Sequence, residues 1–210
     1  MSLTVTAIDV GDPAQAWTSA GFTVESPDLC RVGGVAIRPT GRGAGILGWS
    51  LRGLPDGSDT TLDGIPTLRA DPDAGAPGTH PNGVLAIDHV VLLSPHLDRT
   101  LRAFAGVGAQ PRRHRDAEIG GRGVRQVFFR FGEVIVEVVG SPDAADDGPS
   151  HLWGITYVVA DVDATAAFYG DRATRVKDAV QPGRRIMTLH HREYGMSVRT
   201  AFISAPILGP

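Results

Sequence analysis

A single cysteine, Cys30, leaves no intrachain disulfide possible, and a reducing compartment, the cytoplasm, is the natural expectation. No apolar run approaches the roughly 20 residues that span a bilayer, so no membrane partner is expected. The opening Met1-Ser2-Leu3-Thr4-Val5-Thr6 has no cationic n-region and no long apolar h-region, so it does not read as a secretory signal. Charge of either sign is scarce in excess: Lys and Arg number 20, Asp and Glu 23, for a net −3 and a pI near 6.1. That balance offers no electrostatic reason to bind nucleic acid. No Ser-His-Asp signature and no zinc-finger spacing occurs. Gly41 to Gly48 lacks the Gly-Lys-Ser/Thr ending of a phosphate loop and, like Gly120 to Gly123, reads as a turn. Cys30 has no histidine motif nearby, which suits a buried thiol rather than a nucleophile.

What the chain does have is glycine (27) and proline (15), a composition that suits many short strands joined by turns. It also has a unit written twice. The first copy opens Ile87-Asp88-His89-Val90-Val91-Leu92-Leu93 and closes Glu133-Val134-Ile135-Val136-Glu137-Val138-Val139. The second opens Ile155-Thr156-Tyr157-Val158-Val159 and closes Ser197-Val198-Arg199-Thr200-Ala201-Phe202-Ile203. Leu97-Asp98 recurs as Val162-Asp163, Phe131-Gly132 as Tyr194-Gly195, and Ser141-Pro142 as Ala205-Pro206, at near-constant offsets. Within each copy the order is strand, helix, then three strands. Leu97, Leu101 and Phe104 make the first helical stripe, and Val162, Ala166 and Tyr169 the second. Residues 84–142 and 150–206 are therefore two modules. Residues 1–54 read as a divergent third copy: Thr4 to Val10 a strand, a short helix after Asp12-Pro13, then strands over Phe22 to Glu25, Leu29 to Arg38 and Gly45 to Arg52. Residues 55–83, rich in Asp, Gly, Pro and Thr, read as a linker.

Two polar side chains interrupt the apolar strands of the first copy. Strict alternation puts His89 on one face with Ile87, Val91 and Leu93, and Glu137 with Ile135 and Val139. An unpaired buried carboxylate costs several kcal/mol or shifts its pKa upward. Glu137 must therefore line a wet cavity, stay neutral, or pair with a cation such as Arg125 or Arg130. A neutral His89 beside Glu137 can serve as a general base. His80, His190 and His191 are the further candidates for a shared site. His190 and His191 point to opposite faces of their expected strand. The run Arg112-Arg113-His114-Arg115 after Pro111 reads as a solvated loop, with contact to an anionic ligand as the other reading. Trp17, Trp49 and Trp153 read as core or interface residues. Phe128, Phe129, Phe131 and Tyr157 are candidates to line an apolar pocket.

The segments Ile87-Asp88-His89-Val90-Val91-Leu92, Leu97-Asp98-Arg99-Thr100, Arg125-Gln126-Val127-Phe128-Phe129-Arg130 and Val136-Glu137-Val138-Val139-Gly140 resemble the vicinal oxygen chelate superfamily, which includes glyoxalase I, extradiol dioxygenases, methylmalonyl-CoA epimerase and bleomycin-resistance proteins. The resemblance implies an α+β fold of βαβββ modules, paired edge to edge into a cupped, mostly antiparallel open barrel around a small-molecule cavity. It implies metal ligands from the first and last strands of each module. His89 and Glu137 match those positions in one module, while Gly154 and Thr200 or Ala201 occupy them in the other. A divalent metal would then be held by His89, Glu137 and a recruited third residue such as His190. Two functions follow: a metal-assisted lyase, isomerase or dioxygenase with His89 and Glu137 as ligands or catalytic groups, or a metal-free protein that sequesters a small molecule. A third module without a partner implies pairing with its twin in a homodimer.

Overall fold

The computed structural model describes residues 2–25, 28–70 and 75–206, without the side chain of Ile119. In the repeated part, β7 (Val84–Leu93), α2 (Leu97–Gly106), β8 (Arg113–Ile119), β9 (Arg122–Phe131) and β10 (Val134–Gly140) form one βαβββ module. The other is β11 (His151–Val159), α3 (Val162–Tyr169), β12 (Lys177–Asp178), β13 (Arg185–Thr188) and β14 (Arg199–Ser204). Each first strand pairs parallel with its own last strand, and the two first strands pair antiparallel with each other. The result is the expected eight-stranded open cup, ordered β12-β13-β14-β11-β7-β10-β9-β8. Asp161 caps α3 by accepting from the amides of Asp163 and Ala164. Val134, Val136 and Val138 are buried toward the helices, which leaves Ile135 and Glu137 on the concave face.

The N-terminal part departs from expectation. β1 (Thr4–Val10), α1 (Ala14–Ser19), β2 (Cys30–Val32) and β3 (Val35–Pro39) make a module short of one strand. Glu25 forms only an isolated bridge with Leu29, and a turn splits Leu29 to Arg38 into a hairpin. β4 (Ile46–Arg52) is not the last strand of that module. It pairs antiparallel with β1, as β11 does with β7. The segment expected to be a linker holds β5 (Thr61–Leu62) and β6 (Ile65–Arg69), and β6 pairs parallel with β4. The sheet order β2-β3-β1-β4-β6-β5 thus repeats the larger cup in reduced form, with β4, β5 and β6 as a second half-module without a helix. The edge that suggested a homodimer is covered within the chain, and that argument for a dimer loses its premise.

The two sheets share one continuous core. Trp49 of β4 packs on Phe104 and Phe131 at ring distances of 6.5 and 6.0 Å, and Phe22 packs on Tyr157 at 5.1 Å. Phe129, Phe131 and Tyr157 are therefore core residues, and only Phe128 of the four pocket candidates faces the cup. Cys30 is buried, and burial pushes its thiol up to about 12, which makes it unreactive. Polar contacts add specificity: Asp12 accepts from the Ser197 and Val198 amides, and Asn82 donates to Ala20 O and Tyr169 Oη. Gly132, in the β9–β10 turn, has φ +67°, and a Cβ there would lie 2.5 Å from Thr4 Cγ2. Gly132→Ala should cost about 1–2 kcal/mol from backbone handedness, with a further loss from that clash. Urea unfolding reads the sum, and a neutral effect would contradict the turn geometry. No helix among the described residues is long and apolar enough to cross a membrane.

Candidate functional site

The site begins with a bulge. Tyr157 pairs with Ile87 while the adjacent Thr156 pairs with His89, so Asp88 is an extra residue in β7. The bulge breaks the alternation: Ile87 is buried in the core with Val90 and Leu92 and does not share a face with His89. It also brings Asp88 to His89, with Oδ2 2.8 Å from Nδ1, while Oδ1 lies 2.6 Å from Arg184 Nη2. Burial alone would raise the Asp88 carboxyl, but the bonds to His89 and Arg184 outweigh it and hold Asp88 below the usual carboxylate range. An ionised Asp88 can only accept, so the proton of a neutral His89 sits on Nδ1 and Nε2 keeps its lone pair.

His89 Nε2 lies 3.7 Å from Glu137 Oε2, so the structure brings the two sequence-identified residues together. Glu137 Oε1 accepts from Gln126 Nε2 at 2.5 Å, and Gln126 Oε1 accepts from Arg115 Nε at 2.8 Å. Neither expected cation reaches Glu137: Arg125 binds Asp116 at 2.7 Å and Arg130 donates to Gly132 O at 2.8 Å. His89 and Glu137 line a cavity of about 190 Å³ with Gln126, Phe128, Arg113 and Arg115. The Arg113 guanidinium sits 4.4 Å above the Phe128 ring. The basic run is thus not a loop. It begins an edge strand whose alternate residues, Arg113 and Arg115, turn inward. The signal was the parity of the run itself, obscured by Pro111 and by the ordinary reading of charge as solvated surface.

Of the other candidate histidines, His191 lines a second hollow of the cup beside Gly154 and Ala201, and His190 and His80 lie elsewhere. β13 ends at Thr188, and a 3₁₀ turn from His191 to Tyr194 replaces the expected strand. His190 is consequently exposed beside Glu193 at 3.5 Å and is not brought to His89 and Glu137. His80 is buried, with Nδ1 accepting from the Thr23 amide at 3.1 Å and Nε2 donating to Arg31 O at 3.0 Å. Burial lowers the His80 pKa below 6.5, against the Arg31 bond that raises it. The neutral ring is favoured in the fold, so its stabilisation is present above about pH 6.5 and is lost as pH falls from there through the folded value. Melting temperature should therefore drop between about pH 7 and 5, less steeply in His80→Asn. Equal slopes would rule out His80 as the source.

Strand register settles the second half-site. His89 pairs with Ile135 and Gly154 with Arg199, so Ala201 matches Glu137. Thr200 is buried on the other face, its hydroxyl donating to Val198 O. A Cβ on Gly154 would meet Arg199 O at 2.9 Å, so any side chain there would have to push the β11 and β14 backbones apart. A divalent centre takes three protein donors plus solvent or substrate. His89 and Glu137 supply two, Gly154 and Ala201 none, and Arg113 and Arg115 add like charge to any cation. No group of three His, Cys, Asp or Glu among the described residues is arranged for a metal. The donor set does not fit the metal site that the family resemblance implies.

The paired cups have counterparts among solved structures. A variant of 4-hydroxymandelate synthase from Streptomyces coelicolor matches all of this chain and 95% of its own, at TM-score 0.62 and 12% identity. The fold is that of the vicinal oxygen chelate superfamily. A xylose isomerase-like TIM barrel/4-hydroxyphenylpyruvate dioxygenase fusion protein likewise matches 100% of this chain with half of its own, at TM-score 0.63 and 13% identity. Methylmalonyl-CoA epimerase from Mycobacterium tuberculosis matches 59% of this chain and 91% of its own, at TM-score 0.46 and 16% identity. No protein-family profile and no curated protein matches the sequence. At these identities the vicinal oxygen chelate likeness is one of fold.

Proposed function

We propose that the chain binds a small anionic molecule in the larger cup and that His89 and Glu137 transfer a proton on it without a divalent metal. The observation that carries this reading is the Asp88–His89–Glu137 arrangement in a cavity walled by Arg113 and Arg115. Asp88 holds the imidazole and stabilises the imidazolium that forms when Nε2 takes a proton. Glu137 faces the same space as the second acid–base group. The guanidinium groups attract the anion and stabilise negative charge that develops on it. The test is deuterium incorporation at carbon, followed by NMR in D₂O, with pyruvate, 2-oxobutyrate and methylmalonate as probes. Exchange lost in His89→Gln supports the reading. Binding without exchange favours sequestration, the reading to which the braced Glu137–Gln126–Arg115 wall also lends itself. Stoichiometric metal in protein purified without chelators, lost in His89→Ala, would overturn the metal-independent assignment.

A further inference from the structure

One row of paired residues crosses the cup: Arg113, Phe128, Glu137, Val91, Gly154 and Arg199, each opposite the next on neighbouring strands. Glu137 and Gly154 are two strand spacings apart, about 10 Å. Where a partner module would carry ligands, Gly154 and Ala201 leave a recess of about 140 Å³, floored by Val91 and Thr156 and bordered by Trp153. The two cavities share no lining residue but lie side by side, on residues paired across neighbouring strands, Val91 with Glu137 and Thr156 with His89. One end of the row carries guanidinium groups over an acid–base pair. The other is a mainly apolar hollow edged by His191 and by Arg199, whose guanidinium lies 4.6 Å over the Trp153 ring, and the side chains missing from it are those that would have completed a metal centre.

We infer that the recess over Gly154 and Ala201 holds the apolar body of the ligand whose anionic head lies at Arg113 and Arg115. The ligand class is an amphipathic monocarboxylic acid long enough to cross two strands. The loss of the second half-site thereby converts a metal position into a specificity pocket. This rests on the anion-binding part of the proposed function and is independent of proton transfer. Val180, 73% exposed at the rim of the His89 cavity, adds apolar surface beside the head-group end.

Calorimetric titration with butyrate, octanoate, octan-1-ol and suberate tests it. Octanoate should bind at least about 10-fold tighter than butyrate, since each buried methylene adds to affinity. Ala201→Leu, which fills the recess, should erase that gap and leave butyrate unchanged, and Thr188→Leu, from the neighbouring strand where Thr188 pairs with Ala201, should narrow it as well. Arg113→Gln should weaken both acids alike. A gap that survives both fillers, octan-1-ol binding as well as octanoate, or no acid binding overturns the inference. Suberate binding tighter than octanoate also overturns it, because the far end would then be read by Arg199 as a second charge. If the gap holds while no probe exchanges deuterium, only the proton-transfer reading falls. If short acids exchange without any gap, only the specificity pocket falls.

Discussion

Glu137→Gln is expected to lower proton exchange on a bound acid by about 10²–10⁴-fold, the range for removing a positioned acid–base group. The substitution keeps shape, and the Gln126 amide can still donate to the new carbonyl oxygen, so folding should be almost undisturbed. His89→Gln should lose as much, because its Nε2 is the nitrogen that Asp88 leaves unprotonated. Asp88→Asn separates orientation from charge. The amide can still accept at His89, but Arg184 loses its 2.6 Å carboxylate partner and the imidazolium loses its counter-charge. Its rate should fall, because the imidazolium that forms on proton uptake loses its stabilising counter-charge. Full exchange in Glu137→Gln, with His89→Gln inactive, would reassign Glu137 to a structural role beside a histidine base.

Asp63→Ala is expected to cost about 3–5 kcal/mol of folding stability, the scale for breaking a buried charged network from one side. Asp63 sits in the β5–β6 turn with φ +50°, followed by Gly64 at +85°. Both central residues are left-handed, as a two-residue hairpin turn requires. The turn inserts the Asp63 carboxylate, 3% exposed, at the start of α2, where it accepts from Arg99 Nε at 2.6 Å, from Ser150 Oγ at 2.5 Å and from Thr100 Oγ1. Without it, buried hydroxyls and a guanidinium lose their acceptor, and the reduced half-module loses its tie to the larger cup. Asp63→Asn should lose less, as one oxygen can still accept. Urea unfolding checks both. A cost under about 1 kcal/mol for Asp63→Ala would show that the remaining contacts, Trp49 on Phe104 and Phe131 and Phe22 on Tyr157 among them, hold the two sheets together without it.

Much of the larger cup was legible because local period and turn chemistry specify it. The alternating valines around Glu137 fix which face it shares, and Asp161 and Gly170 bound α3 as their residue types demand. The His89–Glu137 pair was legible for the same reason: each is a polar interruption of an apolar strand. The N-terminal half was harder. β5 and β6 are short, set among turn residues, and resemble a linker to any local measure.

By itself, the sequence determined the repeat, the order of elements within each module and the two polar residues facing the cup. These follow from side-chain period along one strand, a property of neighbours in the chain. Only the tertiary structure decided that β1 takes β4 as its partner, that Asp88 is bulged toward His89, and that Arg113, Arg115 and Arg184 converge on the site while His190 does not. Those outcomes depend on which edges meet and in what register. Register is set by packing between segments far apart in the chain, and one-residue slips or bulges redirect side chains that local pattern leaves fixed.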